Sequence, residues 1–389
     1  MIIGGGEWQV PIIQAAKKLG HTVINTNLYE NSPGFAYADF SYVADVLDKE
    51  SNLLIAKKHN IDAAITDQSD IAVNTVAYIN EKLGLNGIGT NIAQLFTDKY
   101  RMRKELKVEG LKHPRYRFCN SLKDLEDFFQ ELQAPLIIKP TNNQSSRGVM
   151  KISTLQEITQ AYKHTIQFCK KKSFLAEEYI GGIELTVEGF KYPDAKHHTF
   201  GVSQKTYFEN TIGVANSLLY LQAFDTFQIA KLHEINNKLF ARVPFAITHV
   251  EYKYYNGNFY LIEAAVRGGG TKISSHIVPV LSDYDINELL IKCALKEHVV
   301  YEKKTPKTET IMLKFFDFGE GVVKKIDYSL ETFKEHIIDF KLEFLVGETL
   351  HKPTDDRSRI GYVILQANSK EELQKVMRSL EENIKVEFV

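Results

Sequence analysis

Two glutamates and an arginine lie close together in one predicted hairpin, HVEYKYYNGNFYLIEAAVRGGG, which spans residues 249–270. Glu251 falls on its first strand, Glu263 on its second, and Arg267 follows shortly before three glycines. Two carboxylates that face each other across a strand pair repel, so burying them requires a cation between them. A hard divalent ion such as Mg²⁺ meets this requirement. The alternative is an exposed hairpin on which Lys253 neutralises both acids.

The length of the hairpin loop decides whether the two acids face each other. A two-residue Asn-Gly turn would place Glu251 opposite Ile262 and leave Glu263 on the other face of the sheet. A three-residue Asn-Gly-Asn loop would instead pair Tyr255 with Phe259 and place Glu251 opposite Glu263. We expect the three-residue loop.

A second polar cluster, LIIKPTNNQSSRGVMKI, occupies residues 136–152. Lys139 ends an apolar strand, a costly position unless the ammonium meets an anion. The loop that follows, residues 142–148, offers backbone amides, hydroxyls and the guanidinium of Arg147, which are donors suited to a polyphosphate. The motif is not a Walker sequence, since GxxxxGK[ST] is absent. The alternative is an ordinary polar hairpin loop.

A third cluster, FLAEEYIGGIELTVEG, occupies residues 174–189 and carries several acids around a Gly-Gly turn. Main-chain groups of its first strand are available to read the edge of a purine. An acidic hairpin facing solvent is the alternative interpretation, and the motif alone does not separate the two.

The glycine turn GGGEWQ at residues 4–9 raises the question of a dinucleotide site. It follows a strand and precedes a helix, but the third glycine of the fingerprint is missing. The next strand ends in NTN, without an acid to bind a ribose. We interpret the motif as a tight packing turn, and an NAD-linked enzyme is the least favoured function.

Alternating strand and helix patterns position these clusters. Residues 1–93 predict a small, mostly parallel α/β sheet, with strands at 1–3, 21–27, 61–67 and 85–89. A helix is predicted over 97–111, capped by Thr97 or Asp98. Strands and hairpins predominate from about residue 116, and residues 301–389 combine short strands with one helix. The predicted fold class is therefore mixed, α/β followed by α+β.

Composition excludes several classes of protein. The chain has 389 residues, 44% hydrophobic and 25% charged, with a net charge of −1, as is typical of a globular protein of two or three domains. This charge balance predicts no nucleic-acid partner and no membrane surface. Neither a membrane span nor a signal peptide is evident, so we expect a cytoplasmic protein. The three cysteines lie far apart, which indicates neither a disulfide framework nor a zinc site.

The stretches DKYRMR, IIKPTNNQSSRGV, EEYIGGIE, HVEYK and LIEAAVRGGG follow one another in an order and spacing that resemble the ATP-grasp superfamily. The resemblance is to its carboxylate-amine ligases, biotin carboxylase and amino-acid ligases, and it covers essentially the whole chain. It implies an ATP-grasp fold with a Rossmann-like pre-ATP-grasp domain at 1–93. The ATP-grasp domain would follow at 94–300, with a lid at about 116–182, and a C-terminal lobe at 301–389.

The resemblance also implies roles for residues at matching positions. Lys99 and Lys139 would bind the ATP phosphates, the 142–148 loop would cover them, and Glu184 would take the ribose hydroxyls. Mg²⁺, or Mn²⁺ in its place, would be held by Glu251 and Glu263. Arg267 would stabilise the reacting acyl-phosphate oxygens, and Lys205 would be a further basic group of the site. The implied nucleotide contacts are Lys99, Lys139, Ser145, Ser146, Arg147, Gly148, Glu177, Glu178, Tyr179, Ile180 and Glu184.

One position departs from the family pattern. Many members read Glu-x-Asn-x-Arg after the second metal-binding glutamate, whereas Ala265 stands here in place of the asparagine. This departure puts tight binding of a second Mg²⁺ in doubt. The resemblance therefore implies two protein carboxylates, with water and phosphate completing the metal's shell.

The implied activity is that of a ligase that activates a carboxylate as an acyl phosphate and joins it to an amine, with release of ADP and phosphate. Substrate contacts are expected from Lys272, Ser274, Ser275 and His276, while His249 is more typical of an ordinary strand histidine. Other interpretations are an ATP-grasp kinase, a bicarbonate-using carboxylase and a non-catalytic nucleotide-binding module. The expected partners are small molecules, and a homodimer is left open.

Overall fold

The computed structural model describes residues 1–141, 146–169, 171–193, 196–209, 211–221, 228–302, 304 and 310–389. Across these ranges, no helix is both long enough and apolar enough to cross a membrane.

The N-terminal unit is a three-stranded parallel sheet in the order β1-β2-β3, flanked by helices. Its elements are β1 (Ile2–Ile3), α1 (Val10–Lys18), β2 (Ile24–Asn27), β3 (Phe40–Val43), α2 (Lys49–Lys58), α3 (Asp70–Leu83), α4 (Thr90–Leu95) and α5 (Lys99–Glu105). Short 3₁₀ turns lie at Glu7–Gln9 and Pro33–Ala36. The predicted α/β start is confirmed.

Two predicted strands of this unit do not form. The segment 61–67 contributes a single parallel bridge, between Ile65 and Ile2. The segment 85–89 is not a strand. Gly89, with a φ of 79°, is the N-cap of α4, and the side chain of Asn86 donates to the carbonyl of Cys293, 2.7 Å away. The prediction was wrong here because these polar and glycine residues form caps and contacts between elements.

Helix α5 carries the DKY motif into the centre of the molecule. Asp98 caps it by accepting a hydrogen bond from the amide of Arg101 at 2.9 Å. The helix ends at Glu105, earlier than the predicted residue 111. Lys99 and Arg103 are therefore one turn apart and lie on one face of a short helix.

A separate four-stranded sheet, which we call the lid sheet, has the order β5-β8-β6-β7 and two helices packed on it. It lies within the range predicted for the lid. The segment comprises β4 (Leu111–Lys112), β5 (Tyr116–Cys119), α6 (Leu122–Leu132), β6 (Leu136–Lys139), β7 (Met150–Ile152), α7 (Ile158–Ile166) and β8 (Phe174–Glu178). A 3₁₀ turn at Leu155–Glu157 precedes α7. Strand β4 does not belong to this sheet and pairs with the large sheet instead.

A nine-stranded sheet forms the centre of the molecule, in the order β16-β18-β14-β11-β10-β9-β12-β13-β4. Its central elements are β9 (Ile183–Lys191), β10 (His197–Tyr207), β11 (Ala215–Leu221), α8 (Ile229–Leu239), β12 (Ala246–Tyr255) and β13 (Asn258–Ala265), followed by a π-helical turn (Ile273–Ile277), α9 (Val278–Ser282) and α10 (Ile286–Ala294).

The C-terminal part extends the same sheet. Its elements are β14 (Thr310–Phe315), β15 (Gly321–Asp327), a 3₁₀ turn (Glu331–Phe333), β16 (Ile337–Leu342), β17 (Thr349–Leu350), β18 (Gly361–Ala367), α11 (Lys370–Asn383) and β19 (Lys385–Phe388). Strand β14 pairs antiparallel with β11, so backbone hydrogen bonds cross the predicted boundary at residue 300. A small sheet, β17-β15-β19, covers the outer end. The division into domains at residues 93 and 300 stays a prediction.

Candidate active site

A cavity of about 930 Å³ lies between the lid sheet, one face of the nine-stranded sheet, the N-terminal unit and the C-terminal part. This volume is in the range of small-molecule sites. The N-terminal unit contributes Trp8, Gln68 and Asp70 to its wall, and the C-terminal part contributes Phe315 and Arg359. The sequence motifs described above supply most of the remaining lining.

The hairpin of β12 and β13 does place Glu251 directly opposite Glu263. The predicted loop was wrong, however, because Tyr255 pairs with Asn258 around a two-residue turn whose central residues have φ of 48° and 73°. The register then shifts between Glu251 and Tyr252, which leaves Ile262 as an extra residue on β13. This bulge brings the two acids into opposition.

Buried lysines neutralise both acids. The Nζ atom of Lys99 lies 2.9 Å from Glu263 Oε1, and that of Lys205 lies 2.9 Å from Glu251 Oε1 and 2.9 Å from Glu184 Oε1. Burial alone would raise the pKa of Glu251, but Lys205 and the neighbouring histidine outweigh this effect and hold the pKa well below its ordinary value. Glu251 is therefore ionised at neutral pH.

The two facing carboxylates fit a hard divalent cation that takes few of its ligands from the protein. In the described part of the chain, no group of three or more His, Cys, Asp or Glu side chains is arranged to hold a metal ion. Two facing carboxylates supply oxygens only, and Mg²⁺ commonly keeps several waters and substrate phosphates in its shell. Ala265 is buried and adds no donor. Glu251 and Glu263 are thus the residues that would hold Mg²⁺.

His249 lies beside this pair, although its sequence context is typical of an ordinary strand histidine. Its Nδ1 is 2.9 Å from Glu188 Oε1, and its Nε2 is 3.8 Å from Glu251 Oε1. Burial opposes the protonated ring, but the carboxylate of Glu188 outweighs burial and raises the pKa of His249 to about 9. The ring adds positive charge beside the two acids.

Lys139 meets an internal anion, as its position at the end of an apolar strand required. Its Nζ lies 2.6 Å from Glu177 Oε2, and Arg103 Nε lies 2.5 Å from Glu177 Oε1. Burial alone would raise the pKa of Glu177, but the two cations outweigh it and lower the pKa to about 2. Glu177 therefore anchors a buried cluster of two cations and one anion in the lid wall.

This cluster predicts a loss of stability in acid. Because the folded-state pKa of Glu177 lies below its ordinary value of 4.5, the stabilisation is present above pH 4.5 and is lost as the pH falls toward 2. Glu177→Gln should lower the free energy of unfolding by about 3 to 5 kcal/mol at neutral pH, since it leaves two buried cations without a counter-ion. Urea denaturation of both proteins should show this difference shrinking as the pH is lowered below the ordinary value. A difference independent of pH would contradict the assignment.

The EEYI segment presents fewer free main-chain groups than expected. The amide of Glu178 donates to Arg115 and that of Tyr179 to Pro135, and the Glu178 carboxylate lies 3.2 Å from Arg115 Nε. No described residue accepts a hydrogen bond from the amide of Ile180, which lines the cavity together with Tyr179. Ile180 therefore offers the amide that remains for a base.

Glu184 lies on β9 among basic and phenolic groups. Its carboxylate is 3.2 Å from Lys253 Nζ as well as 2.9 Å from Lys205 Nζ, and it accepts a hydrogen bond from the Tyr207 hydroxyl. All four side chains line the cavity. A ribose hydroxyl at this position would find hydrogen-bond donors in the two lysines and an acceptor in the Glu184 carboxylate.

The expected phosphate-covering loop is only partly described, and Ser145 lies outside the described residues. Ser146 Oγ donates to the carbonyl of Gly213 at 3.1 Å. Gly148 has a φ of 74°, and Arg147 lines the cavity. The described end of the loop thus lies over the cavity next to the connection between β10 and β11.

Arg267 is held by a residue that the sequence did not single out. Its Nε and Nη2 donate to the carboxylate of Asp70 at 2.6 and 3.0 Å, and its Nη1 donates to the carbonyl of Gly268 at 2.9 Å. Burial disfavours the charged guanidinium, but Asp70 outweighs it and raises the pKa of Arg267. Among the described residues these contacts use three of its five N–H groups. Two N–H groups remain for a ligand in the cavity.

The glycines after Arg267 allow close packing more than ligand contact. The amide of Gly268 donates to Asp67 at 2.9 Å, and a Cβ atom there would lie 2.6 Å from the same carboxylate. A Cβ atom on Gly269 would lie 2.9 Å from His249 Nδ1. Gly270 alone of the three glycines lines the cavity. The amide of Gly268 is therefore occupied by Asp67 and is not directed at the cavity.

The four expected substrate residues are not among the residues that line the described cavity. Lys272 Nζ lies 2.6 Å from Asp339 Oδ2 and so joins the central unit to the C-terminal part. Ser274 Oγ donates to Asp67 at 2.5 Å, and Ser275 Oγ is 2.8 Å from His276 Nδ1. Lys272 and Ser274 thus connect the units around the cavity, whereas Ser275 and His276 contact each other.

Comparison with families of known proteins identifies two domains in this chain. Residues 132–275 match the ATP-grasp domain family, and residues 314–389 match the family of L-amino acid ligase C-terminal domain 2. The chain therefore carries an ATP-grasp domain at residues 132–275 and, at residues 314–389, a domain of the kind found at the C-terminus of L-amino acid ligases.

Solved structures show the same fold across the whole chain. The L-amino acid ligase from Bacillus licheniformis has a TM-score of 0.83 at 21% identity, covering 100% of this chain and 98% of that one. The phosphoribosylglycinamide synthetase from Anaerococcus prevotii has a TM-score of 0.76 at 19% identity, covering 100% and 98%. The predicted ATP-grasp fold is confirmed.

Curated relatives are similar over shorter stretches. The formate-dependent phosphoribosylglycinamide formyltransferase of Methanocaldococcus jannaschii is 30% identical over 166 residues, which is 42% of each chain. That of Sulfurisphaera tokodaii is 30% identical over 211 residues, or 52% of this chain and 51% of its own. The chain thus spans about half the length of the curated relatives it matches.

Proposed function

We propose that this protein is an ATP-dependent carboxylate-amine ligase. One observation carries the proposal: two carboxylates face each other on adjacent strands, and two buried lysines, Lys99 and Lys205, neutralise them at the wall of one cavity. Exchange of these internal pairs for Mg²⁺ and phosphate would keep every buried charge compensated. The match to an L-amino acid ligase C-terminal domain supports a ligase over other ATP-grasp activities.

In this proposal the chain supplies positioning and charge. Lys99 and Lys139 bind phosphate oxygens, the amide of Ile180 contacts the base, and Glu184 accepts from the ribose. Glu251 and Glu263 hold Mg²⁺, with Mn²⁺ as a substitute; when bound, the ion neutralises charge on the phosphates. Such a site needs little covalent help from the protein, because phosphoryl transfer depends mainly on alignment and electrostatics.

The proposed reaction has two steps. An oxygen of the substrate carboxylate attacks the γ-phosphorus of ATP, the bond to the β-phosphate oxygen breaks, and ADP leaves. The amine nitrogen then attacks the acyl carbon of the acyl phosphate, the bond to the phosphate oxygen breaks, and the amine releases a proton as phosphate departs. Arg267 places its two remaining N–H groups toward oxygens that carry the developing charge, and Asp70 fixes its plane.

A substrate screen tests the proposal. Purified protein would be incubated with ATP, Mg²⁺ and pairs of carboxylic acids and amines, with ADP release followed by a coupled assay and products identified by mass spectrometry. An amide formed in equal amount with ADP and phosphate is the expected result. ADP release with a phosphorylated or carboxylated product would instead identify a kinase or a carboxylase, and ATP binding without turnover of any pair would indicate a binding module.

Nucleotide binding should also change the covering loop. Hydrogen exchange at the amides of residues 146–149 is expected to slow when ATP and Mg²⁺ are added, because the loop would close over the phosphates. Exchange in α11, which is remote from the cavity, provides the control. Equal exchange at 146–149 with and without nucleotide would count against a covering role.

Assembly and location belong to the same proposal. The 2-oxoglutarate carboxylase biotin carboxylase domain of Hydrogenobacter thermophilus, similar at a TM-score of 0.77 and 16% identity over 99% of this chain and 90% of that one, is a dimer with bound MgADP. We propose a homodimer here, to be checked by sedimentation. The cytoplasm, which supplies ATP and Mg²⁺, is the proposed location.

A further inference from the structure

Arg103 is a fully buried arginine that neither the family resemblance nor the proposed reaction assigns a role. Its relative exposure is 0%, and it lies on α5 one turn after Lys99. Its Nε and Nη2 donate to Glu177 at 2.5 and 3.3 Å, and the same Nη2 donates to the carbonyl of Ile262 at 2.6 Å. One side chain therefore joins α5, the lid sheet and strand β13.

The contact to Ile262 falls on the one residue that sets the geometry of the two acids. Ile262 is the extra residue of the bulge, and without it the two-residue turn would continue its register and pair Glu251 with Ile262. Glu263 would then point to the opposite face of the sheet. A bulge leaves a backbone group without a partner in the ladder. Here Arg103 donates a hydrogen bond to the carbonyl of the bulged residue, Ile262.

Helix α5 thus holds this segment of β13 at two points. Arg103 binds the backbone of Ile262, and Lys99 binds the side chain of the next residue, Glu263, at 2.9 Å. The spacing of four residues between the two cations matches one turn of the helix, so a single rigid element fixes both contacts.

Stability alone does not account for an arginine at this place. A buried ion pair contributes little compared with apolar packing of similar volume. In addition, the Nη1 group of Arg103 is buried without a hydrogen-bond partner among the described residues, which is unfavourable. The planar guanidinium does, however, reach two acceptors in different directions, which a lysine ammonium on a flexible stem does not reproduce.

We propose that Arg103 is a positioning residue for the metal site: by holding the bulge at Ile262 it keeps the Glu263 carboxylate opposite Glu251. The identity of the bound ion rests on the proposed function, whereas the control of the bulge does not. Outer contacts that orient metal ligands typically change metal affinity about 10- to 100-fold when they are removed.

The first test is an Mg²⁺ titration of ATP binding to Arg103→Lys. The Mg²⁺ concentration at half-saturation should rise about 10- to 100-fold, with little change in the binding of ATP without metal. Arg101→Lys is the matched control, because Arg101 lies on the same helix but is only half-buried and pairs with Glu105 at 2.9 Å. In a Glu263→Gln background, Arg103→Lys should cause no further loss, because both changes act on one ligand.

The second test needs no ligand. Hydrogen exchange in residues 259–264 should be faster in Arg103→Lys than in wild type, with exchange in α11 and the small C-terminal sheet unchanged. Arg103→Gln, whose amide nitrogen corresponds to Nε and ends two bonds short of Nη2, also loses the contact to Ile262 and serves as the second variant if the lysine protein does not fold.

The outcomes separate the two proposals. A folded Arg103→Lys protein with wild-type Mg²⁺ midpoint and wild-type exchange at 259–264 would overturn the positioning role. Faster exchange throughout the molecule would also overturn it, since that result describes a general structural residue. If wild type shows no Mg²⁺-dependent ATP binding, the proposed function fails, and the exchange experiment still decides whether Arg103 controls the bulge.

Discussion

Glu263→Gln is expected to abolish Mg²⁺-dependent formation of ADP while the protein stays folded. The amide keeps the size of the side chain but removes the charge that would hold the ion beside Glu251. Metal ions contribute several kcal/mol to charge stabilisation in such transition states, and each 1.36 kcal/mol is a tenfold change in rate. A loss of at least about 10³-fold in turnover follows. Glu251→Gln should behave in the same way.

The ion pairs of the site add a signature that simple inactivation would not show. Glu263 binds Lys99 at 2.9 Å, so its neutralisation releases an ammonium to bind a phosphate. Metal-free ATP should therefore bind Glu263→Gln at least as tightly as wild type, whereas Mg²⁺ should no longer improve the affinity. Glu109→Gln, which removes an exposed pair with Lys238, is the control. Normal turnover in both active-site variants would refute the metal assignment.

Arg267→Lys should lower kcat by about 10² to 10³, the usual cost of losing one charge-assisted donor to a transition state. The structure sharpens this expectation, because Asp70 binds Arg267 at two points, 2.6 and 3.0 Å. A lysine cannot maintain both contacts and also present two N–H groups to the cavity. ATP affinity, which depends on Lys99 and Lys139, should change much less.

Single-turnover kinetics, with ATP affinity measured separately on the same protein, checks this prediction. Asp70→Asn should also reduce kcat, because the amide offers only one acceptor to hold the guanidinium plane. Arg101→Lys, the same type of change at a half-buried residue outside the cavity lining, should leave turnover intact. If Arg267→Lys binds ATP far more weakly but converts it at the normal rate, Arg267 is a ground-state nucleotide contact and the reacting centre lies elsewhere.

The hairpin shows how far sequence reasoning extends. The pairing of Glu251 with Glu263 was predicted correctly, but from a three-residue loop that does not form. The Asn-Gly turn follows local rules, with both residues left-handed. The compensating bulge at Ile262 coincides with a contact from Arg103, which lies 159 residues away in the chain. Local pattern cannot reveal such a contact, although the four-residue spacing of Lys99 and Arg103 in DKYRMR hinted that both cations share one face.

The partner of Arg267 was out of reach for a different reason. Asp70 begins α3 in the N-terminal unit, 197 residues from Arg267, and reads in sequence as an ordinary residue of the first helical turn. The segment 61–67, predicted as a strand, is also fixed by distant residues. Asp67 at its end accepts hydrogen bonds from Gly268 and Ser274. Contacts between units set both features. The Glu251–Glu263 pair lies within one hairpin and Lys139 ends one strand, so both could be read from local sequence.

The large sheet continues into the C-terminal part but not into the lid sheet, so the C-terminal part is held more firmly. Strands β11 and β14 are joined through a ladder from Ser217–Lys314 to Leu221–Thr310. Any separation of the C-terminal part from the central strands would break the hydrogen bonds of this ladder. The lid sheet shares no ladder with the large sheet in the described chain and is joined to its surroundings by side chains such as Arg103 and Ser146. We therefore expect the lid side to move more readily than the C-terminal wall, which the β11–β14 ladder holds to the large sheet.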